Sequence, residues 1–368
     1  MNIKINRETL LKPLSSVSSI VERRHTLPIL SNLLLEAKSD QLVLTATDLE
    51  MQISLAINTP IGAELSTTIS AKKLLDICRA LPENTEINMA TTDSRVAVKA
   101  GKSKFNLQTL PAVDYPVMTK AVGTDTVTIS IPQNILKALF KQVEFAMAQQ
   151  DIRYYLNGML LVFEPGMLRA VATDGHRLAH SSTPAEGISA KHEVIVPRKT
   201  VLEMQRLLDD SEEPVTIDVA PGQIRFSFGH VELVSKLVEG KFPDFNRVIP
   251  TNYTRHFDVS REVLQGCLQR AAILTTDKFR SVRLQLAQHV LKISSTNAEQ
   301  EEAQEEIDID YGHEALDVGF NVSYLLDFLA NVKAETIRWS VMPDANASAL
   351  ITLPDDESFK YVVMPMRI

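Results

Sequence analysis

The chain has 368 residues, of which 45% are hydrophobic and 23% are charged. This composition is typical of folded proteins and excludes a disordered or fibrous chain, while the length predicts two or three hydrophobic cores. A net charge of −8 disfavours a protein that holds nucleic acid mainly by neutralising its phosphates.

Cysteine content and hydropathy narrow the protein class further. The two cysteines, Cys78 and Cys267, are too few for a disulfide framework or a thiolate metal site, and we expect both to be small core residues. No apolar run reaches the ~18 residues of a membrane span, and the N-terminal MNIKINRETLLK lacks the apolar core of a signal peptide. We therefore expect a soluble, cytoplasmic protein without a membrane partner.

A strand that leads into an amphipathic helix is predicted three times along the chain. The pattern begins at Ile3, recurs at Ile129 and recurs again at Phe257. In each place two apolar residues alternate, as in a half-buried strand, and an apolar stripe at helical spacing follows.

A second pattern repeats with nearly the same period. The segments LVLTATDLE, LRAVATDGH and LKISSTNAE place Asp48, Asp174 and Asn297 at equivalent points. A second helix is predicted 25 residues after each of them, at Lys73, Lys199 and Val322. Runs typical of strands, separated by turn-forming residues, follow each second helix.

The two patterns together predict three copies of one folding unit. We place them at residues 1–125, 126–253 and 254–368. Two helices among several antiparallel strands predict an α+β fold in which the helix pair covers one face of a sheet. Open sheet edges are aggregation hazards, and joining edges between repeats and then between subunits would remove them, so a ring is predicted.

Charge and hydrophobicity suggest where two copies would meet. Residues 1–125 carry 14 basic and 13 acidic residues, whereas residues 254–368 carry 11 basic and 18 acidic residues. A strand at 102–107 is predicted to present Phe105 and Leu107 on one face and Lys102 and Lys104 on the other. An acidic run in the third repeat lies near the apolar Ile273 and Leu274, and it comprises Glu299, Glu301, Glu302, Glu305 and Glu306.

A contact between these two patches would join unlike surfaces of two copies, and such a contact yields a ring or a filament. The alternative is a solvated acidic run together with lysines that merely protect an edge strand, and the sequence leaves it equally open.

Signatures of common catalytic sites are missing from the sequence, including phosphate-binding loops, dinucleotide-binding motifs and nucleophile elbows. The best local candidate for chemistry is TDGHR at 173–177, where Asp174 would orient His176 as a general base, but no nucleophile lies nearby. His176 and His180 have metal-ligand spacing only on a helix, and a strand is predicted here. The alternative is an Asp-Gly turn whose side chains bind backbone groups.

Basic residues recur on the predicted helices. They would form a diffuse positive lining that meets phosphates if the helices faced a central hole, and mixed-charge solvated faces are the alternative. The basic residues are Arg7, Lys12, Lys72, Lys73, Arg79, Lys137, Lys141, Arg198, Lys199, Arg206, Arg261 and Arg270.

The apolar C-terminus YVVMPMRI is predicted either to complete a strand or to form the wall of an apolar groove.

A series of segments has a specific order and spacing: HTLPILSNLLL, LTATDLEMQ, DICRALPE, QDIRYYLNGM, ATDGHRLA, VIVPRK, SKLVEGKFPDF, RAAILTTDKFR, NAEQEEAQEE, FNVSYLLD and YVVMPMRI. With these segments the chain resembles the family of bacterial DNA polymerase III beta subunits, the sliding clamps, over essentially its full length. The resemblance implies three tandem clamp domains, a head-to-tail homodimeric ring around duplex DNA, and no catalysis, metal or cofactor.

The resemblance also implies three sets of functional residues. The partner-peptide cleft would comprise Arg153, Leu156, Thr173, Gly175, His176, Arg177, Leu178, Pro243, Arg247, Val248, Asn321, Tyr324, Val362, Met364, Pro365, Met366 and Arg367. The dimer interface would join Lys73, Lys102, Lys104, Phe105 and Leu107 to Ile273, Leu274, Glu299, Glu302 and Glu305. The DNA contacts would be Arg24, Lys72, Gln150, Tyr154, Tyr155, Arg198 and Lys199.

Two positions depart from the pattern of the family. Gln304 stands where an acidic residue is expected at the interface, and Gln149 stands where a histidine is expected in the DNA loop. We therefore expect one ion pair fewer at the interface and a weaker local DNA contact.

The implied function is that of a processivity clamp associated with the nucleoid. It would be loaded by an ATP-driven clamp loader and would tether the replicative polymerase. Other polymerases, mismatch-repair proteins and ligase-type proteins would bind the same cleft through a short linear motif with apolar anchors. A hydrolase based on Asp174 and His176, and a peptide-binding scaffold that does not encircle DNA, are the competing hypotheses.

Overall fold

The computed structural model of the chain describes residues 2–22, 26–60, 64–92, 94–119, 121, 126–276 and 280–367. One sequence of elements, a strand, a helix, four strands, a second helix and three strands, occurs three times. The threefold repeat predicted from the sequence is therefore confirmed as an α+β architecture built from antiparallel strands.

The first repeat contains β1 (Asn2–Asn6), α1 (Arg7–Val17), β2 (Asn32–Lys38), β3 (Gln41–Thr47), β4 (Met51–Asn58), β5 (Leu65–Ser70), α2 (Ala71–Ala80), β6 (Glu86–Thr92), β7 (Arg95–Ala100) and β8 (Ser103–Gln108). The second contains β9 (Val127–Pro132), α3 (Gln133–Lys141), β10 (Gly158–Glu164), β11 (Gly166–Thr173), β12 (Arg177–Ala185), β13 (His192–Pro197), α4 (Arg198–Leu207), β14 (Pro214–Ala220), β15 (Gln223–Phe228) and β16 (Val231–Lys236). The third contains β17 (Arg255–Ser260), α5 (Arg261–Ala271), β18 (Ser281–Ala287), β19 (Val290–Thr296), β20 (Glu302–Asp308), β21 (Leu316–Asn321), α6 (Val322–Asn331), β22 (Thr336–Val341), β23 (Ala349–Leu353) and β24 (Asp356–Val363).

Polar caps mark the beginning of α1, α2 and α6. The Asn6 side chain accepts from the Glu8 N–H before α1, and the Asn321 side chain accepts from the Ser323 N–H before α6, both at 2.9 Å. Such side chains satisfy backbone donors that the first helical turn leaves unpaired. The same capping lets α2 begin after Ser70, whose hydroxyl accepts from the Lys73 N–H, so this helix begins before the predicted position.

Strand pairing joins neighbouring repeats. One eight-stranded sheet has the order β5-β2-β3-β4-β16-β15-β14-β9, in which β4 of the first repeat pairs with β16 of the second. Another has the order β13-β10-β11-β12-β24-β23-β22-β17, in which β12 pairs with β24 of the third repeat. Two four-stranded sheets, β1-β6-β7-β8 and β20-β19-β18-β21, complete the described fold.

Residue contacts divide the chain into two compact units because the shared sheets join half of one repeat to half of the next. One unit comprises Met1–Gln133 and Arg206–Leu237, and the other comprises Asn134–Gln205 and Val238–Ile368. Each contains one eight-stranded and one four-stranded sheet.

Apolar helix faces cover these sheets. In the first unit, α1 packs on α2 and on β3 and β4 and buries Leu10 and Leu14. In the second, α5 packs on α6, β19 and β20. Cys78 and Cys267 are both buried, as predicted, and burial raises the pKa of both thiols, to about 11 for Cys78.

Candidate functional site

The segment Thr173–Arg177 forms a polar turn between β11 and β12. The Thr173 hydroxyl donates to Arg177 O (2.6 Å) and accepts from the Gly175 N–H (3.1 Å). Asp174 Oδ1 accepts from the N–H groups of His176 (2.9 Å) and Arg177 (3.1 Å). The predicted turn in which Asp174 binds backbone groups is therefore confirmed.

The equivalent turn of the first repeat has the same bonds. Thr47 donates to Met51 O (2.8 Å), and Asp48 Oδ1 accepts from the N–H groups of Glu50 and Met51 (2.9 and 2.7 Å). Leu49, with φ of 75°, stands where the second repeat has Gly175, with φ of 91°. Of these two repeats, only the second therefore lacks a side chain at this point of the turn.

Beside the turn of the second repeat lies an apolar cleft of about 240 Å³. A buried apolar cluster lies beneath it, at the pairing of Leu178 in β12 with Val362 in β24. The Met364 N–H donates to His176 O (2.9 Å) and holds the C-terminal segment against the turn. The predicted residues that line this cleft are Arg153, Leu156, Thr173, Gly175, His176, Arg177, Leu178, Pro243, Val248, Val362 and Met364.

Three further aromatic residues line the cleft. Phe242 and Phe245 were not predicted there, and Tyr155 was predicted only as a DNA contact. The segment KFPDF contained a signal, since two phenylalanines within five residues of a polar loop require a place to pack.

The remaining predicted cleft residues lie around this cavity. Pro365, Met366 and Arg367 line a neighbouring cavity of about 780 Å³, which His176 and Met364 also line. Both predictions for the C-terminus hold, because β24 extends to Val363 and Met364 then forms part of the cleft wall.

Three other predicted residues have different surroundings. Tyr324 lines a polar cavity of about 540 Å³ that also includes His176 and Arg177. Asn321 is the N-cap of α6, and the exposed Arg247 forms an ion pair with Asp244 (3.1 Å). These three residues do not line the apolar cleft itself.

The arrangement of Asp174 does not support the hydrolase hypothesis. Its Oδ1 binds two backbone N–H groups, and its Oδ2 accepts from Arg177 Nε (3.0 Å). Both oxygens of Asp174 are therefore engaged by groups other than the His176 imidazole.

His180 lies in β12 and is buried, 8% exposed. Burial lowers its pKa to about 4, with further lowering by the charges of Lys360 and Arg169. Within the described residues, no group of three or more His, Cys, Asp or Glu side chains is placed to hold a metal ion. No helix in the described part of the chain is long and apolar enough to cross a membrane.

The predicted DNA contacts of the second repeat lie mainly in one exposed loop. Gln150 has φ of 56°, and the rings of Tyr154 and Tyr155 meet edge to face at 5.8 Å. Arg198 Nη1 donates to Met147 O (3.3 Å), so the start of α4 lies next to this loop.

An ion pair shapes the same loop. Asp151 accepts from Arg153 Nε and Nη2 (3.0 and 2.8 Å), and these bonds hold the pKa of Asp151 down at about 2. The exposed Gln149 and Lys199 lie in this loop and near the start of α4. Lys72 lies at the exposed start of α2 in the other compact unit, and Arg24 lies outside the described residues.

The predicted interface residues lie on or near two strands, β8 and β20, that end their sheets. Phe105 and Leu107 are half-buried positions of β8, whereas Lys104 is exposed and Lys102 precedes the strand. Lys73 lies in the first turn of α2. Within the described residues, β8 pairs with β7 alone and β20 pairs with β19 alone.

On the acidic side, Ile273 is 75% exposed and Leu274 follows it in the short helix after α5. Glu305 of β20 accepts two bonds of 2.7 Å from Arg270, which lower its pKa. Glu305 is thus already paired within its own chain, with a partner that was not predicted from the sequence. Glu299 and Glu302 are exposed, and Gln304 donates to Glu306 (3.1 Å).

Comparison with known proteins gives one consistent result. Family models for the N-terminal, central and C-terminal domains of the DNA polymerase III beta subunit match residues 1–119, 130–244 and 246–367. The chain is 46% identical over 370 residues to the beta sliding clamp of Pseudomonas aeruginosa, and 44% identical over 369 residues to that of Escherichia coli K12. The crystal structure of a sliding clamp from Pseudomonas aeruginosa bound to griselimycin matches with a TM-score of 0.96 and 46% identity. Each of these matches covers 100% of both chains.

Proposed function

The chain belongs to the DNA polymerase III beta subunit family, so it is a non-catalytic DNA sliding clamp of that polymerase, and we propose that it works as a head-to-tail homodimeric ring. In this proposal the ring encircles duplex DNA in the cytoplasm, and the apolar cleft receives the proteins that the clamp tethers.

The main support for the ring proposal is the strand pairing between neighbouring repeats. At both junctions inside the chain, the fourth strand of one repeat pairs with the eighth strand of the next: β4 with β16, and β12 with β24. The remaining fourth strand is β20 and the remaining eighth strand is β8. Pairing β20 of one copy with β8 of another therefore repeats an existing junction, and two such contacts close a dimer.

The junction between β4 and β16 also supplies a register for the proposed contact. Gln52 and Glu302 occupy equivalent positions in their repeats. Gln52 lies opposite Thr47, the last residue of β3, and Glu302 lies opposite Thr296, the last residue of β19. Gln52 is in turn paired with Val234, the fourth residue of β16, and the fourth residue of β8 is Asn106. This register sets Asn106 against Glu302 and, two residues along each antiparallel strand, Lys104 against Gln304.

This register separates the charged contacts from the apolar ones. Lys104 lies between Glu302 and Glu306 on one face, since side chains two apart share a face. Phe105 and Leu107 lie on the other face, the one on which Glu305 meets α5. The acidic strand thus faces the basic one, and the apolar residues of β8 approach the end of α5.

A closed ring accounts for the net charge of −8. Retention on DNA then depends on topology, so the lining needs only weak phosphate contacts. The residues that we propose for these contacts are Arg24, Lys72, Gln150, Tyr154, Tyr155, Arg198 and Lys199.

Light scattering after gel filtration, over a dilution series, tests the ring. The wild type is expected at twice the chain mass, whereas Phe105→Arg places a charge in the apolar part of the contact and is expected at the mass of one chain. Asn88→Arg on the interior strand β6 is the matched control and should remain dimeric. A wild type that stays monomeric at every concentration would exclude the ring and favour a scaffold.

Retention on DNA tests the topological mechanism. Ring loaded on nicked circular DNA should stay bound at high salt and should leave when the DNA is linearised. Equal retention on circular and linear DNA would contradict it.

The cleft is proposed to bind a short peptide segment with apolar anchors. Its apolar base, its size and the half-exposed Met364 at its rim suit apolar side chains, and methionine adapts to different ligands. The partners that we propose are the clamp loader, the replicative polymerase, other polymerases, and mismatch-repair and ligase-type proteins. A clamp tethered in this way holds a polymerase at high effective concentration near the primer end, so a weak contact suffices.

Griselimycin is the probe that we choose for the cleft, because a solved clamp from Pseudomonas aeruginosa contains it. Calorimetry should detect binding to the wild type and weaker binding to Met364→Ala. The purified polymerase catalytic subunit should compete with it. Unchanged binding to Met364→Ala, or no binding at all, would reject the cleft as the site.

A further inference from the structure

The buried guanidinium of Arg177 joins three separate segments beside the cleft. Its Nε donates to Asp174 Oδ2 (3.0 Å), its Nη1 to Asp327 Oδ2 (2.7 Å) and its Nη2 to Phe145 O (2.7 Å). It also lies 4.4 Å from the ring centre of Tyr324, and its side chain is only 9% exposed. The turn at 173–177 is thereby bound both to the segment after α3 and to α6 of the third repeat.

Asp327 lies behind the wall of the apolar cleft and not in the cleft itself. It lines the polar cavity of about 540 Å³ and is not among the residues around the apolar cleft. The two cavities share His176 and Arg177, which form the wall between them. A change at Asp327 therefore reaches the cleft through that wall.

Asp327 supplies a negative charge that the buried guanidinium of Arg177 requires. A buried guanidinium is tolerated only when carboxylates or carbonyls satisfy it. Asp174 supplies one oxygen, because its other oxygen binds the backbone of the turn. Asp327 is itself 47% exposed and supplies the second charged contact. Without it, Nη1 loses its charged acceptor, and water becomes the better partner for that side of Arg177.

We propose that Asp327 is a positioning residue for the partner cleft: its carboxylate holds Arg177, so that the wall formed by Arg177 and His176 has its binding geometry before a partner arrives. This inference rests on the proposed function of the cleft. Asp327 makes no contact with the bound segment. Its loss lowers the fraction of molecules whose cleft is ready, and the measured affinity falls with that fraction.

The experiment measures griselimycin binding to the immobilised full-length clamp by surface plasmon resonance. The variants are Asp327→Ala, Asp327→Asn and Met364→Ala, and each melting temperature is measured in parallel. Asp258→Ala is the matched control, since it removes a bidentate pair with Arg338 (2.7 and 2.8 Å) from an aspartate of similar exposure, 42%, in the same compact unit.

Asp327→Ala is expected to weaken binding about tenfold, through a slower association rate and an unchanged dissociation rate. Asp327→Asn keeps an oxygen acceptor without the charge and should lose less affinity. Asp258→Ala should bind as the wild type does. A role of Asp327 in stability alone would lower the melting temperature and leave the affinity of the folded clamp unchanged.

The outcomes separate this inference from the proposed function. If the wild type does not bind, or if Met364→Ala binds equally well, the cleft itself is wrong. If Met364→Ala binds weakly while both Asp327 variants bind as the wild type does, the positioning role is wrong. An affinity loss confined to the dissociation rate would also overturn it, because that result indicates a direct contact. If Asp327→Ala does not fold, Asp327→Asn decides.

Discussion

Replacing Gln304 by Glu should tighten the dimer. In the proposed register Gln304 lies opposite Lys104, so the new carboxylate would face an ammonium group directly across the two strands. A cross-strand pair of opposite charges contributes about 0.5 kcal/mol. A dimeric ring contains two such contacts, so the total is about 1 kcal/mol, which lowers the dimer dissociation constant about fivefold.

One opposing effect inside the subunit is small. Gln304 Nε2 now donates to Glu306 Oε1 (3.1 Å), and Gln304→Glu replaces that bond by two neighbouring carboxylates. Glu306 is already paired with Lys292 (3.0 Å), which lowers its pKa. The Glu306 side chain is about half exposed, so water and salt screen the repulsion.

Dimer dissociation would be followed by sedimentation equilibrium at low salt and at about 1 M salt, where the screening length falls to about 3 Å. The dimer dissociation constant of Gln304→Glu should be lower than that of the wild type at low salt and equal to it at high salt. Gln41→Glu on β3, a strand inside its sheet, adds the same charge and should change nothing. Gln304→Glu in a Lys104→Ala background should also give no gain. Equal tightening in that background or at high salt would refute the register.

Three further predictions concern stability, the cleft and DNA. Because the folded pKa of His180 is about 4, below the unfolded value of about 6.5, the unfolded chain binds the extra proton between these pH values. The unfolding free energy should therefore fall by up to about 3 kcal/mol from pH 7 to pH 4, and denaturation of His180→Gln should show a shallower fall. A Cβ at Gly175 would lie 2.8 and 2.9 Å from the guanidinium nitrogens of Arg153, so Gly175→Ala should weaken griselimycin binding. Gly166→Ala, at a φ of 82° with no atom within 4 Å, should cost similar stability, about 1–2 kcal/mol, and leave binding intact; equal affinity of the two variants would contradict this reasoning. Lys72→Ala should reduce the salt dependence of binding to short duplex DNA by about one phosphate contact per subunit, and an unchanged slope would remove Lys72 from the lining.

Features that depend on residues near one another in the chain could be predicted from the sequence. Alternation and helical spacing located the strand and helix pairs that begin the three repeats, and the TDGHR segment predicted a polar turn. Hydrogen bonds that span two to four residues build this turn, as the equal bonds around Asp48 and Asp174 demonstrate. Such structure follows from local chemistry, and a single sequence therefore predicts it.

The functional residues came from the resemblance, because composition and spacing left a catalytic site, a solvated turn and an acidic surface all open. Residue spacing alone did not bring the turn at 173–177 together with the C-terminal Val362 and Met364. Motifs that match a family carry information about distant contacts which periodicity lacks.

Contacts between residues distant in sequence could be read only from the folded structure. Arg177 and Asp327 are 150 positions apart, and nothing local to either indicates the other. The sequence near Phe242 and Phe245 indicates that the two rings must pack, but not that they line the cleft. The sequence near Glu305 does not indicate its pairing with Arg270. The choice among many possible acidic partners depends on which strands share a sheet, because β12 meets β24 only where the second and third repeats join their edges. Side chains far apart in the chain become neighbours through that pairing, and the cleft lies where it occurs.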